Sequence, residues 1–72
     1  MKLYVSRDKL ANVCSPIFES QNDLTAIRSF KLAMKEQPFL QDYQLIAIGA
    51  IDRKSGQLTV QEPNVIYEEI NE

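Results

Sequence analysis

The sequence contains no histidine and no tryptophan, and its one cysteine is Cys14. Histidine is the commonest general base and a frequent zinc ligand, so its absence excludes nucleophile–histidine pairs and histidine-containing zinc sites within one chain. One cysteine cannot form an intrachain disulfide, and the two glycines, Gly49 and Gly56, cannot supply a phosphate-binding loop or a dinucleotide fingerprint. We therefore expect a protein that is not an enzyme and that uses no metal or cofactor.

The chain is also short, since 72 residues allow one domain. A domain of this size buries only about 60% of the surface that its unfolded chain exposes, so its core alone gives a thin stability margin. Because disulfides and metals are not available as reinforcement, we expect a homo-oligomer, a dimer or larger. The longest nearly apolar stretch, residues 45–51, is far below the roughly 20 residues of a membrane span, and the first residues are too polar for a signal peptide. We expect an intracellular protein with no membrane association.

Charge is distributed unevenly along the chain. The net charge of −2 gives no overall attraction to phosphate, so nucleic-acid binding would need a local basic patch. Residues 1–36 carry six basic and four acidic side chains, a net charge of +2, whereas residues 37–72 carry two basic and six acidic ones, a net charge of −4. Any basic patch is therefore expected in the first half of the chain.

Apolar patterning predicts an α+β fold. A first strand begins at residues 3–5, and a short edge strand or extended lead-in is expected over residues 17–19. Residues 43–52 are apolar on both alternating faces, which is typical of a central strand or of a strand at an oligomer interface. A turn with Gly56 at positive φ leads into a last strand that Pro63 is expected to end. The order β-(β)-α-β-β predicts a small antiparallel sheet with one amphipathic helix packed on one face.

The predicted helix covers about residues 22–36, with Asn22 or Ser20 as its N-cap. At 100° per residue one broad arc of the helix is apolar and the surface beside it is basic. The apolar arc consists of Ala26, Ile27, Phe30, Ala33 and Met34, and the basic residues are Arg28, Lys31 and Lys35.

The last ten residues differ from the rest in composition. We expect residues 1–62 to form the single α+β domain and residues 63–72 to form an acidic, partly apolar C-terminal tail. Its apolar side chains are too numerous for a solvated tail, so we expect it to dock on its own chain or on a neighbour. From Glu62 onward the unbalanced acidic residues are Glu62, Glu68, Glu69 and Glu72, and the apolar residues of the tail are Val65, Ile66, Tyr67 and Ile70.

The basic helix surface is the candidate nucleic-acid-binding site. Cations at one helix surface can contact phosphates through charge without reading sequence. The alternative is an ordinary solvated helix face. The candidate phosphate contacts are Arg28, Lys31 and Lys35, with Lys2, Arg7, Lys9, Arg53 and Lys54 as secondary contacts. Aromatic rings could stack on bases if exposed. Tyr4 and Tyr43 are the best candidates for exposure, whereas core packing is expected for most of Phe18, Phe39 and Tyr67.

Several short motifs occur in an order that resembles a known family. Residues 2–8 (Lys-Leu-Tyr-Val-Ser-Arg-Asp) are followed by Ser-Pro-x-Phe at 15–18 and Asn-Asp-x-x-Ala-Ile-Arg-x-Phe at 22–30. A second block has Asp-Tyr-x-Leu at 42–45, then Gly49, Ile-Asp at 51–52 and Ser-Gly at 55–56. Together they resemble the small nonstructural protein of gokushovirus-type microviruses. The link over residues 37–41 is shorter than the insertion that relatives often carry.

The resemblance implies a nonstructural protein of a phage with a small single-stranded DNA genome, acting in the cytoplasm of the infected bacterial host. It implies a nonenzymatic protein that associates with single-stranded DNA and acts in viral single-stranded DNA synthesis or packaging. The alternative is a protein–protein adaptor or inhibitor of a viral or host replication protein, recognised through a sheet edge or the acidic tail. The negative net charge favours this alternative.

Overall fold

The computed structural model describes residues 1–35 and 42–68. They form one antiparallel sheet and one helix, which confirms the predicted α+β fold. No helix in these two ranges is long and apolar enough to cross a membrane. The elements in chain order are β1 (Lys2–Asp8), β2 (Val13–Cys14), β3 (Phe18–Ser20), α1 (Asp23–Ala33), β4 (Tyr43–Ile51) and β5 (Leu58–Glu68).

The two inner strands of the sheet are β1 and β4, which pair with each other. The other side of β1 is shared by two short strands, because β3 pairs with residues 2–4 and β2 with residues 7–8. The other side of β4 is covered by β5, which is an edge strand. The prediction that residues 43–52 contain a central strand is therefore confirmed.

The connection between β4 and β5 is the predicted hairpin. The amide of Gly56 donates to the carbonyl of Asp52 at 2.7 Å, and the amide of Asp52 donates to the carbonyl of Gln57 at 2.9 Å. Gly56 has a φ of 78°, as predicted. The Asp52 carboxylate accepts from the amide of Lys54 at 2.9 Å. Because its strongest contacts are with the amides of Lys54 and then Ser55, the pKa of Asp52 is lowered.

The expectation that Pro63 ends the last strand is wrong, since β5 continues to Glu68. The register of β5 against β4 shifts between the pairs Gly49↔Val60 and Ala47↔Asn64, so residues 61–63 bulge opposite a single residue of β4. Proline cannot donate to a ladder, and an edge strand at a bulge is where a sheet tolerates it. The expected boundary at residue 62 consequently falls inside β5, and residues 69–72 of the expected tail lie outside the described residues.

Helix α1 starts as predicted and ends earlier. The side chain of Asn22 accepts from the amide of Thr25 at 2.9 Å, which satisfies one of the unpaired amides of the first turn. The helix ends at Ala33 and not near residue 36, because Met34 leaves the helical conformation with φ −96° and ψ 5°. Lys35 therefore lies in the turn after the helix, and Ala33, expected on the apolar arc, is exposed.

The core lies between α1 and one face of the sheet. Cross-strand register places Tyr4 opposite Ala47 and Ser6 opposite Leu45 on this face, and successive residues of a strand point to opposite faces. Burying a large apolar side chain such as Phe30 contributes roughly 1.5–3 kcal/mol. The buried cluster consists of Tyr4, Ala26, Phe30, Leu45 and Ala47, with Phe18, Ile27, Met34, Tyr43, Ile66 and Tyr67 packed against it.

Candidate nucleic-acid interface

Three exposed basic residues, Arg28, Lys31 and Lys35, lie along one surface of α1 and the turn that follows it. We call them the basic line. Residues three and four apart on a helix are neighbours on its surface, and a rise of about 1.5 Å per residue spreads the three along roughly 10 Å of the axis. The predicted clustering of these three residues is consistent with this placement, although Lys35 stands just beyond the helix.

The basic line has no ion pair within residues 1–35 and 42–68. In this part of the chain, salt bridges join Lys2 to Asp23 at 3.7 Å and Lys9 to Glu68 at 3.5 Å. An exposed cation without a carboxylate partner keeps its charge available to a phosphate, because no existing pair must be broken first. Among the residues that the structure describes, the basic line is therefore positive without a carboxylate partner, as the turn residues Arg53 and Lys54 also are.

Lys31 is held in place by an aromatic ring of the last strand. Its Nζ lies 4.9 Å from the centroid of the Tyr67 ring, and Tyr67 packs edge-on against Phe30 with ring centroids 5.8 Å apart. A cation–π contact at an exposed site contributes about 0.5–1 kcal/mol. Tyr67 thus positions Lys31 beside β5. Tyr67 was expected in a C-terminal tail, and its pairing with Leu45 after the two register shifts of β5 places it on the helix-facing side.

The five secondary candidates do not join the basic line. Lys2 is paired with Asp23 at the start of α1. The guanidinium of Arg7 donates through Nη2 to the side-chain oxygen of Asn12. Arg7 follows Tyr4 by three residues on β1, and strand residues an odd number apart point to opposite faces, so Arg7 lies on the sheet face opposite α1. Lys9 is paired with Glu68. The remaining two, Arg53 and Lys54, are exposed in the β4–β5 turn.

Glu68 is the carboxylate that compensates the charge at the end of β1. It accepts a hydrogen bond from the side-chain amide of Gln44 and pairs with Lys9. These contacts, the amide of Gln44 first and the charge of Lys9 after it, lower the pKa of Glu68. One of the acidic residues expected in the C-terminal tail, Glu68, is therefore paired within the sheet.

The expectation that Tyr4 is exposed for base stacking is wrong. Tyr4 is 0% exposed, its ring stacks on Phe18 with centroids 5.8 Å apart, and its hydroxyl donates to the Asp23 carboxylate at 2.7 Å. Burial first, and then the hydrogen bond and charge of Asp23, raise the pKa of Tyr4 far above its ordinary range. Tyr43 is half-buried against the core cluster. Phe39 lies outside the described residues.

A groove of about 310 Å³ lies between α1 and the β1–β3 side of the sheet, and no side chain that lines it is titratable. It can accept an apolar group but offers no acid–base chemistry. Among the described residues, no cluster of three or more potential ligands could hold a metal ion. The residues that line the groove are Ser6, Ser15, Pro16, Phe18, Ser29, Phe30, Ala33 and Met34.

The chain matches a known protein family over nearly its whole length. A family model described as Phage ORF5 protein matches residues 1–71. The matched region contains all the strands, the helix and the basic line. No curated protein and no solved structure matches the chain.

Proposed function

We propose that the chain, which belongs to the Phage ORF5 protein family, is a nonenzymatic protein that binds single-stranded DNA through the phosphate backbone. The proposed site is the basic line, Arg28, Lys31 and Lys35. The observation that carries the proposal is that these three cations share one exposed surface and have no ion pair within the described residues. The motifs over residues 2–58 support a more specific origin, a gokushovirus-type microvirus. The corresponding role is in viral single-stranded DNA synthesis or packaging in the cytoplasm of the infected bacterium.

The proposed binding mode is independent of base sequence. Lysine and arginine side chains on a helix surface contact phosphate oxygens, which position a strand but carry no sequence information. The ring next to the basic line, Tyr67, is contacted by Lys31, so we expect charge to contribute more than base stacking. The net charge of −2 gives the protein no overall attraction to DNA. The attraction between the basic line and phosphates therefore acts at short range, because salt screens charges separated by more than about 10 Å.

The number of cations sets the expected salt dependence. For single strands the logarithm of the binding constant falls with the logarithm of salt concentration with a slope of about −0.7 per neutralised phosphate. Three contacts give a slope of about −2, so a fourfold rise in salt should weaken binding roughly 20-fold.

The test compares two triple variants with the parent by fluorescence anisotropy on a labelled oligothymidine, over a range of salt concentrations. The first variant combines Arg28→Gln, Lys31→Gln and Lys35→Gln and removes the basic line. The matched control combines Lys2→Gln, Arg53→Gln and Lys54→Gln and reaches the same net charge with the basic line intact. We expect the first to lose affinity and salt dependence and the control to keep most of both, provided that circular dichroism shows both folded.

Two outcomes would contradict the proposal. If the parent does not bind the oligonucleotide at low salt, the protein is not a DNA-binding protein of this kind. If both triple variants lose the same affinity, total charge governs binding and the basic line is a solvated helix face.

A second candidate function is an adaptor or inhibitor of a viral or host replication protein. The observation that favours it is that β5 forms one edge of the sheet over residues 58–68. An edge strand can pair with an extended segment of another protein through its main chain. In that case the parent should fail to bind DNA at low salt and should form a stable complex with the purified replication protein.

A further inference from the structure

The sheet face opposite α1 is apolar over three consecutive cross-strand rows. Directly paired residues of neighbouring strands share a face, so the register identifies the members of each row. The exposed fractions on β5 are high, 76% for Val60, 55% for Leu58 and 46% for Val65, whereas Val5 and Ile46 on the inner strands are only 8% and 7% exposed. The rows are Val5–Ile46–Val65, Leu3–Gly49–Val60 and Ile51–Leu58.

These side chains are neighbours across the strands, although along β5 the bulge of residues 61–63 separates Val60 from Val65. Single exposed leucines or valines are normal on a protein surface, whereas a contiguous apolar patch bounded by polar residues marks an interaction surface. Here the patch is bounded at one end by the polar row Arg7–Gln44–Glu68. No helix of the described residues covers it, since α1 packs on the other face.

The polar row makes this face complementary to itself. It carries a cation on β1 (Arg7), an uncharged amide on β4 (Gln44) and an anion on β5 (Glu68), which also pairs with Lys9 of its own copy. A half-turn about an axis along β4 exchanges the positions of β1 and β5. It therefore places Arg7 of one copy opposite Glu68 of the second, and Gln44 opposite its own equivalent.

The same half-turn matches the apolar rows. Val5 of one copy then faces Val65 of the second, Leu3 faces Val60, and Ile46 faces its equivalent. The strands of the two sheets remain aligned, as in ordinary packing of one sheet on another. We propose that this face is a dimer interface whose occupant is a second copy of the chain. The proposal is independent of DNA binding.

The first test measures self-association by sedimentation equilibrium. We expect the parent to be a dimer at micromolar concentration and Val60→Lys to weaken dimerisation by about tenfold or more, because it buries an unpaired charge in the interface. The control is Leu10→Lys, which makes the same charge change at a residue that is 84% exposed in the β1–β2 turn, and it should dimerise like the parent. A parent that stays monomeric at high micromolar concentration overturns the proposal, and so does a Val60→Lys variant that dimerises as well as the control.

The second test exchanges the charges of the polar row and does not depend on apolar packing. Arg7→Glu alone and Glu68→Arg alone each place like charges opposite one another in a homodimer, so each should weaken dimerisation. Mixing the two variants creates a heterodimer in which both cross-copy pairs are again of opposite charge. Recovery of the dimer in the mixture supports the proposed axis, and a mixture that associates no better than the separate variants overturns it.

Discussion

Gly49 offers the sharpest test of how β4 and β5 are joined. A Cβ atom added at this position would lie 2.2 Å from the backbone carbonyl oxygen of Thr59, and 3.3 Å from both the Thr59 carbonyl carbon and the Val60 Cα. A normal non-bonded contact between such heavy atoms is about 3.5 Å or more. The obstructing atoms belong to the backbone of the paired strand, so Gly49→Ala requires β5 to move away from β4 by more than about 1 Å.

The expected cost follows from the nature of that obstruction. Overpacking typically destabilises a protein by about 1–3 kcal/mol, and we expect Gly49→Ala near the upper end because no side chain can move aside. For a domain of this size, about 1 kcal/mol corresponds to a change of roughly 4–8 °C in Tm. The Tm of Gly49→Ala should therefore fall by more than about 10 °C.

Thermal unfolding and urea unfolding, both followed by circular dichroism, measure the Tm and the free energy of unfolding, with Gly56→Ala as the matched control. A Cβ at Gly56 meets no atom within 4 Å, and its φ of +78° leaves backbone strain as the main cost. That strain is about 1–2 kcal/mol. The reasoning fails if Gly49→Ala is no more destabilising than Gly56→Ala, because the two strands would then not approach each other as described.

Two further predictions concern α1 and its contact with β1. Tyr4→Phe should lower the free energy of unfolding at neutral pH by about 1.5 kcal/mol, because it removes a hydrogen bond to the charged Asp23. Folding raises the pKa of Tyr4, so the parent should keep this stability below about pH 10 and lose it as pH rises further. The urea midpoint of Tyr4→Phe should therefore fall less than that of the parent above about pH 10. Asn22→Ala should cost about 1 kcal/mol in urea unfolding through loss of the cap to Thr25, whereas Asn22→Ser should restore most of it.

The elements that could be predicted from the sequence are those specified by neighbouring residues. The cap at Asn22 and the positive φ of Gly56 follow from local preferences, and the spacing of the basic line follows from helix geometry. The path of β5 past Pro63 could not be predicted in this way. A proline ends a strand unless an edge position and a bulge accommodate it, and both depend on pairing with a distant strand.

The same limitation explains the misplaced aromatic residues. Tyr4 lies in an alternating strand whose two faces look alike in sequence, and its burial is decided by where α1 packs. Tyr67 reaches Lys31 only because β5 continues to Glu68. The compensation of Lys9 by Glu68 likewise joins opposite ends of the chain. Composition therefore indicated that a basic surface exists, but tertiary pairing decides which cations remain uncompensated.

The two proposals together place the basic lines on opposite outer surfaces of a dimer, since α1 lies on one face of the sheet and the proposed interface on the other. Stacked sheets are about 10 Å apart and each helix is about 10 Å in diameter, so the two basic lines would be at least about 30 Å apart. A short oligonucleotide then contacts one copy only, whereas a long strand can reach both and gains affinity through effective concentration. Val60→Lys should therefore leave the affinity for a short oligonucleotide unchanged and reduce the affinity for a long one. An equal loss of affinity for the short and the long oligonucleotide would mean that dimerisation changes the basic line itself. That result would contradict the separation of the two surfaces.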